Sequence, residues 1–280
     1  MGAATLDTIF ALPRHPGPDD RVVASELVRA GGGPAATAAV TLARLGVPIF
    51  LVAAVGDDEA GAAIRDGLER EGVDVSEVVV APGGRSAESA ILVEADGGER
   101  TIVAFLGTLP PLELSARARE LCHGSAWTHV DHIGYPAVHG VDARLSVDGG
   151  NPVPGLDLGS VALYAPTDSA LRDAFGDARQ ALAAGAELVV VTRGSAGSVV
   201  YTRDGDVVEA AALAVEPVST LGAGDVFHGA LLAQLVNGVP LADALAAANA
   251  CAALSCRALD GRSAIPTAEE LRSVLTGSRA

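Results

Sequence analysis

Residues 219–230 read STLGAGDVFHGA, and residues 231–238 continue as LLAQLVNG. From Val226 onward apolar side chains recur at helical spacing until Asn237 and Gly238 stop them, so Gly222, Ala223 and Gly224 fall at a loop-to-helix junction. The first-turn amides of a helix have no intrahelical acceptor, and small side chains let an anion come close to them. Asp225 follows within that turn. A carboxylate is a poor neighbour for a bound phosphate, yet it is well placed to accept the proton of an attacking hydroxyl. The competing reading is a plain helix start with Asp at the positive end of the dipole, and these four residues alone do not exclude it.

Outward from this junction, short β-type runs alternate with helical patterns. IFLVAAVG (49–56) precedes EAGAAIRDGLEREG (59–72), and AELVVVTRG (186–194) precedes VFHGALLAQLVNG (226–238) and LADALAAANACAAL (241–254). The alternation predicts an α/β fold with a mostly parallel central sheet flanked by helices. The chain has 280 residues, 49% of them hydrophobic but only 3% aromatic, so Val, Leu and Ala must fill one core, and a single domain over 1–280 is expected. Two stretches break the rhythm. About 8–30 and 78–105 hold the β-type runs RVVASELV, EVVVA, SAILVEA and RTIVAF, with the turn ADGG at 95–98, and predict a small β-sheet lid. Met1 and Gly2 stand where an apolar lead-in strand is expected, so the first strand is short or the chain starts late.

A formal charge of −16 repels polyanions and argues against nucleic acid or an anionic membrane as partner. No apolar run approaches the roughly 18 residues of a membrane span, and the opening MGAATLDTIFALPRHPGPDD lacks the pattern of a signal peptide. Cys122, Cys251 and Cys256 are too few and too irregularly spaced for a disulfide framework or zinc site, and read as small core residues of a cytoplasmic protein. His129, Asp131 and His132 read as no metal centre, because alternation along a strand turns His132 away from the other two. Asp131 is instead expected to line a sugar pocket. His228, three residues after Asp225, reads as a satisfied helix histidine.

TLGAGDVFHGA resembles the C-terminal signature of the ribokinase-like (PfkB-type) carbohydrate kinases, commonly DTxGAGD followed by a helix. GGPAATAAVTLARLG (32–46) resembles their N-terminal signature, and VGDDEAGAAIRDGLEREGVDVS (55–76), VTRGSAGSVVY (191–201), AAANACAALSC (246–256) and GRSAIPT (261–267) follow in the family's order. The match covers nearly the whole chain, and ketohexokinase- and fructokinase-like members are locally nearest. The resemblance implies a ribokinase-like three-layer fold and ATP-dependent phosphorylation of a hydroxyl of a small sugar, a ketose among the candidates. Asp225 would be the base, and the amides of Gly222, Ala223 and Gly224 the phosphate cradle. Asp7, Asp19, Gly32, Gly33, Thr37, Arg100 and Asp131 would face the sugar; Thr192, Gly194, Gly197, Thr220 and Asn249 would border ATP. Mg²⁺ would be held through water by Asp168, and a homodimer would form through the lid.

Four departures from the family pattern stand out. Thr37 replaces the sugar-binding Asn, Ser219 replaces the Asp of DTxGAGD and weakens a nearby monovalent-cation site, Ala165-Pro-Thr-Asp168 replaces NxxE, and Ile133 stands where ketohexokinases carry an Arg. Two further readings of the same fold remain open. One is a nucleoside kinase, with Phe10, Phe105 or Tyr135 gripping the base; the other is a non-catalytic sugar or nucleotide sensor.

Overall fold

A computed structural model describes residues 1–94 and 100–277. The run Leu188–Thr192 (β10) is apolar without alternation, as a strand buried on both faces must be. It pairs in parallel with β9 (Val161–Pro166), which pairs with β8 (Leu145–Gly149) and that with β7 (Thr128–Val130). On the other side, β11 (Ser198–Thr202) and β12 (Val207–Ala210) add antiparallel, giving a six-stranded mixed sheet in the order β12-β11-β10-β9-β8-β7.

Alternate residues of this sheet enter two different cores. Leu163, Val190 and Val200 join one with α1 (Pro34–Arg44), α2 (Glu59–Arg70), α6 (Ala223–Val236) and α7 (Leu241–Ser255). Tyr164, Val189, Val191 and Val199 join the other with α4 (Asp168–Phe175) and α5 (Ala178–Ala183). Helices on both faces make the three-layer arrangement that the alternating pattern predicts. The helices α3 (Ala116–Gly124) and α8 (Ala268–Gly277) complete the set. The central helices approach closely because they are built of small residues: a Cβ on Gly229 of α6 would lie 2.6 Å from the Ala38 carbonyl oxygen of α1.

A second sheet has the order β2 (Glu26–Gly32), β1 (Thr5–Leu12), β5 (Ala87–Glu94), β6 (Arg100–Phe105), with β1 and β5 parallel. It is the expected small sheet, but the 78–105 segment divides. Val78–Ala81 (β4) pairs in parallel with β3 (Ala53–Gly56) in a separate two-stranded sheet, with Val78 buried in the same core as α1 and α6. The ADGG turn lies outside the described residues. Met1–Ala4 link the layers: the Met1 ammonium donates to the His129 carbonyl, and Gly2 N–H to Val52 O at 3.0 Å. Cys122, Cys251 and Cys256 are buried and unpaired, as expected of core residues. Among the described residues no helix is long and apolar enough to cross a membrane.

Candidate active site

The carboxyl ends of β8, β9 and β10, the start of α6 and the inner face of the β1-β5-β6 sheet enclose one cleft of about 2110 Å³. A single drug-sized ligand fills about 300–1,000 Å³, so this cleft has room for two substrates together. The ends of parallel strands are where α/β sheets leave such crevices.

Gly222 caps α6 in the left-handed region (φ 71°), a conformation that a Cβ would strain. The turn leaves the N–H groups of Gly222 and Gly224 without a protein acceptor among the described residues. Ala223 N–H differs: it donates weakly to Thr220 O at 3.4 Å. Asp225 lines the cleft beside these amides. Burial and the neighbouring Asp148 charge push its carboxyl up to about 7, against the opposing pull of His228 and Arg262. A carboxylate poised near neutral pH is suited to general-base work.

At one end of the cleft, Thr192, Gly194 and Gly197 form the turn after β10, facing a shelf that includes Leu213, Val215 and Ala253. Gly197 has φ 89°, and a Cβ there would lie 2.1 Å from Ala210 O. Asn249 is buried on α7 and its Nδ2 donates to Ala210 O (2.9 Å) and Ala211 O (3.2 Å), so it braces the backbone of the shelf. An apolar shelf with polar groups at its edge fits a nucleotide base. Asp168 lies at the rim as the first residue of α4 and pairs with Arg172 one turn on. Mg²⁺ bound to phosphates keeps water and needs only one or two carboxylates, so Asp168 fits that role. Ser219 is buried and its hydroxyl accepts from Leu221 N–H at 3.2 Å, which leaves no carboxylate for a monovalent cation at 219.

At the other end, Asp7 is buried on β1, accepts from the Thr5 hydroxyl at 2.9 Å and faces the cleft. Desolvation raises its pKa, with Thr5, Ser89 and Arg262 opposing. Gly32 permits this placement, since a Cβ on it would sit 2.0 Å from Asp7 Oδ2, and Gly33 at φ 90° lines the cleft and opens α1. Arg100 reaches from β6 and donates to the Thr220 hydroxyl at 2.6 Å, bridging the small sheet to the loop before α6. Thr220 is thereby engaged on the Arg100 side.

Four expected sugar contacts do not line the cleft, the first being Gly32, which only makes room for the Asp7 carboxyl. Asp19 is exposed at φ 59° in the loop between β1 and β2 and does not line the cleft. Asp131 is buried under the cleft and accepts four backbone N–H groups, from Ala3 (2.7 Å), Ala35 (3.2 Å), Ile133 (2.8 Å) and Gly134 (2.9 Å). It caps α1 from a distance and has no capacity left for a sugar. Thr37 is buried with its hydroxyl accepting from Arg262 Nε at 3.1 Å, outside the cleft lining.

Arg262, inside the GRSAIPT stretch, went unrecognised in the sequence because a lone arginine in a loop reads as solvated. It is 7% exposed, donates through Nη2 to Gly32 O at 2.6 Å, and places its charge between Asp7 and Asp225. Burial lowers its pKa to about 10. The buried pair of His228 and Asp148, Nδ1 to Oδ2 at 3.4 Å, was equally invisible. His228 is thus no simple satisfied histidine: Asp148 raises its pKa against burial, and its Nδ1 has no hydrogen-bond partner.

The architecture and the α6 junction agree with a family model for the pfkB family carbohydrate kinases, which matches residues 1–123 and 165–268. The chain belongs to this family. The ATP-dependent ribose-1-phosphate kinase of Halopiger xanaduensis is 30% identical over 98% of this chain and 96% of its own length. A fructokinase of Salmonella typhimurium is 31% identical over 88% of this chain and 92% of its own. In three dimensions, an Arabidopsis thaliana ribokinase complexed with ribose and ATP superposes with a TM-score of 0.83 at 22% identity, over 98% of this chain and 96% of that one. The fold is therefore ribokinase-like, and the chain is a phosphotransferase of the carbohydrate-kinase class.

Proposed function

We propose that this chain transfers the γ-phosphoryl group of ATP to a hydroxyl of a small sugar, with Asp225 accepting the hydroxyl proton. The observation that carries this reading is the placement of the raised Asp225 carboxyl beside the free N–H groups of Gly222 and Gly224, in a cleft wide enough for two ligands. Those N–H groups would hold the phosphoryl oxygens as charge develops on them. Asp7 would orient the acceptor by accepting from its hydroxyls. The shelf along 192–197 and 212–215, braced by Asn249, would seat the nucleotide, and Asp168 would hold Mg²⁺, which neutralises phosphate charge when bound. Arg100 would close the small sheet over the acceptor through Thr220 and exclude water.

The acceptor is a sugar rather than a nucleoside on this reading, because Phe227 is the one Phe, Tyr or Trp among the described lining residues. Phe10, Phe105 and Tyr135 do not line the cleft. The reading extends to a homodimer through the small sheet. Its edge strand β6 is exposed throughout, with Val103 and Phe105 on the face opposite the cleft-lining Ile102 and Ala104. The test is a panel of pentoses, ketoses, sugar phosphates and nucleosides with ATP and Mg²⁺, reading ADP release. ADP release with a sugar supports the proposal. Release with nucleosides alone would transfer the reading to a nucleoside kinase, and calorimetric sugar binding without any phosphorylated product would make the chain a sensor.

A further inference from the structure

Where Asp148 on β8 and His228 on α6 line the cleft, His129 on β7 meets them from behind, so three separate elements converge. One ring nitrogen of each histidine and one oxygen of Asp148 all lie within 4.8 Å of one another. Asp148 is 4% exposed and His228 5%. The separation of His228 Nδ1 and Asp148 Oδ2, 3.4 Å, is long for a hydrogen bond. It matches the edge, about 3.4 Å, of a tetrahedron with metal–ligand bonds near 2.1 Å.

Two ring nitrogens here, His129 Nε2 and His228 Nδ1, are shielded from solvent and have no hydrogen-bond partner. His228 Nδ1 keeps only the long contact to Asp148, and buried ring nitrogens without a hydrogen bond are uncommon and costly in a folded interior. Other atoms of the group are tied back. His129 Nδ1 lies 3.0 Å from the Ser146 hydroxyl, and Asp148 Oδ1 accepts from Gly150 N–H at 2.7 Å. Outer partners of this kind fix the orientation of metal ligands.

We propose that His129, Asp148 and His228 bind one divalent transition-metal ion of the zinc class, with a coordination position left open toward the cleft. Two imidazoles and a carboxylate suit that class and not Mg²⁺, which takes oxygen ligands. Asp148 and His228 line the cleft whereas His129 does not, which sets the open side. Three protein ligands with one position free is the arrangement of a site that meets a substrate atom. His129 and Asp148 lie in 124–164, between the two stretches that the family model matches, whereas His228 lies within the second, so the site joins residues inside and outside the matched stretches. It does not rest on the kinase reading.

The test uses the full chain, freed of metal by chelator dialysis and titrated with Co²⁺ alone, followed by Zn²⁺ in competition. One Co²⁺ per chain is expected, with the visible d–d absorption of a four- or five-coordinate ion that Zn²⁺ abolishes. His129→Gln and Asp148→Asn each remove the band and weaken binding by at least about tenfold, with folding of each variant checked by circular dichroism. Ser146→Ala keeps all three ligands, so it retains the band with weakened affinity, and it decides the matter should either ligand variant fail to fold. Three results overturn the proposal: no stoichiometric binding at micromolar Co²⁺, a thiolate charge-transfer band that assigns the ion to a cysteine, or binding indifferent to all three substitutions.

Discussion

Replacing Asp225 by Asn removes the proposed base and keeps its shape. General-base catalysis contributes roughly 10²–10⁴-fold, so kcat is expected to fall by that factor. The KM for ATP should change little, because the N–H groups of Gly222 and Gly224 remain. With the wild-type carboxyl near 7, only about a tenth of it is ionised one unit lower. Wild-type kcat/KM should therefore rise about tenfold per unit below neutrality and level off above it, while the residual activity of the variant should lose that limb. Stability moves in the opposite direction. The folded pKa lies above the ordinary aspartate value of 3.8, so the folded state holds the proton more tightly than the unfolded chain. Stability tied to this group is present below about 3.8, is lost as pH rises through about 7, and stays lost above it. About three units at 1.36 kcal/mol each set an upper bound near 4 kcal/mol. Sharing of the proton with Asp148 and His228 makes the contribution smaller than that bound. Asp225→Asn should thus raise Tm at pH 8, by no more than roughly 8 °C, while turnover collapses. ADP-release kinetics between pH 6 and 8.5 and melting by differential scanning calorimetry read both effects. Turnover within about tenfold of wild type, with the pH limb intact, would refute the assignment.

Asp7→Ala should raise the acceptor KM roughly 10–100-fold through lost charge-assisted hydrogen bonds, with the ATP KM unchanged in initial-rate kinetics. Asp131→Ala should act on folding instead, because four backbone N–H groups lose their acceptor. A loss of at least about 3 kcal/mol in urea unfolding is expected, with the acceptor KM of the folded fraction near wild type. Gly197→Ala forces a side chain onto the Ala210 carbonyl oxygen at φ 89°. It should cost about 1–3 kcal/mol and raise the ATP KM severalfold while sparing acceptor binding, as measured by calorimetry with each ligand.

How much of this was legible beforehand depended on whether a role lies in local sequence or in distant pairing. The α6 junction, the apolar β10 run and the small-residue helices are local: each places its residues within one turn or one strand, and composition and spacing read them directly. The order of motifs likewise pointed to the family before any coordinates. Asp131 shows the opposite case. Its type and its neighbourhood suit a sugar pocket, yet the fold brings the amides of Ala3 and Ala35 onto it and exhausts its acceptors. Arg262 and Thr37 meet across 225 residues of chain, and no local pattern foretells that a loop arginine will be buried between two carboxylates. The His129 grouping changed for the same reason. In sequence its neighbours are Asp131 and His132, but parallel pairing of β7 with β8 and the packing of α6 deliver Asp148 and His228 instead.

By itself, then, the sequence determined the layered α/β architecture, the glycine-rich start of α6 and the carboxylate beside it, because hydrogen-bond geometry and apolar periodicity act over a few residues. Only the tertiary structure decided which polar groups face the cleft and which are consumed in holding it together. That division is settled by desolvation, since a buried carboxylate, guanidinium or imidazole must find its partner in whatever segment the packing brings alongside.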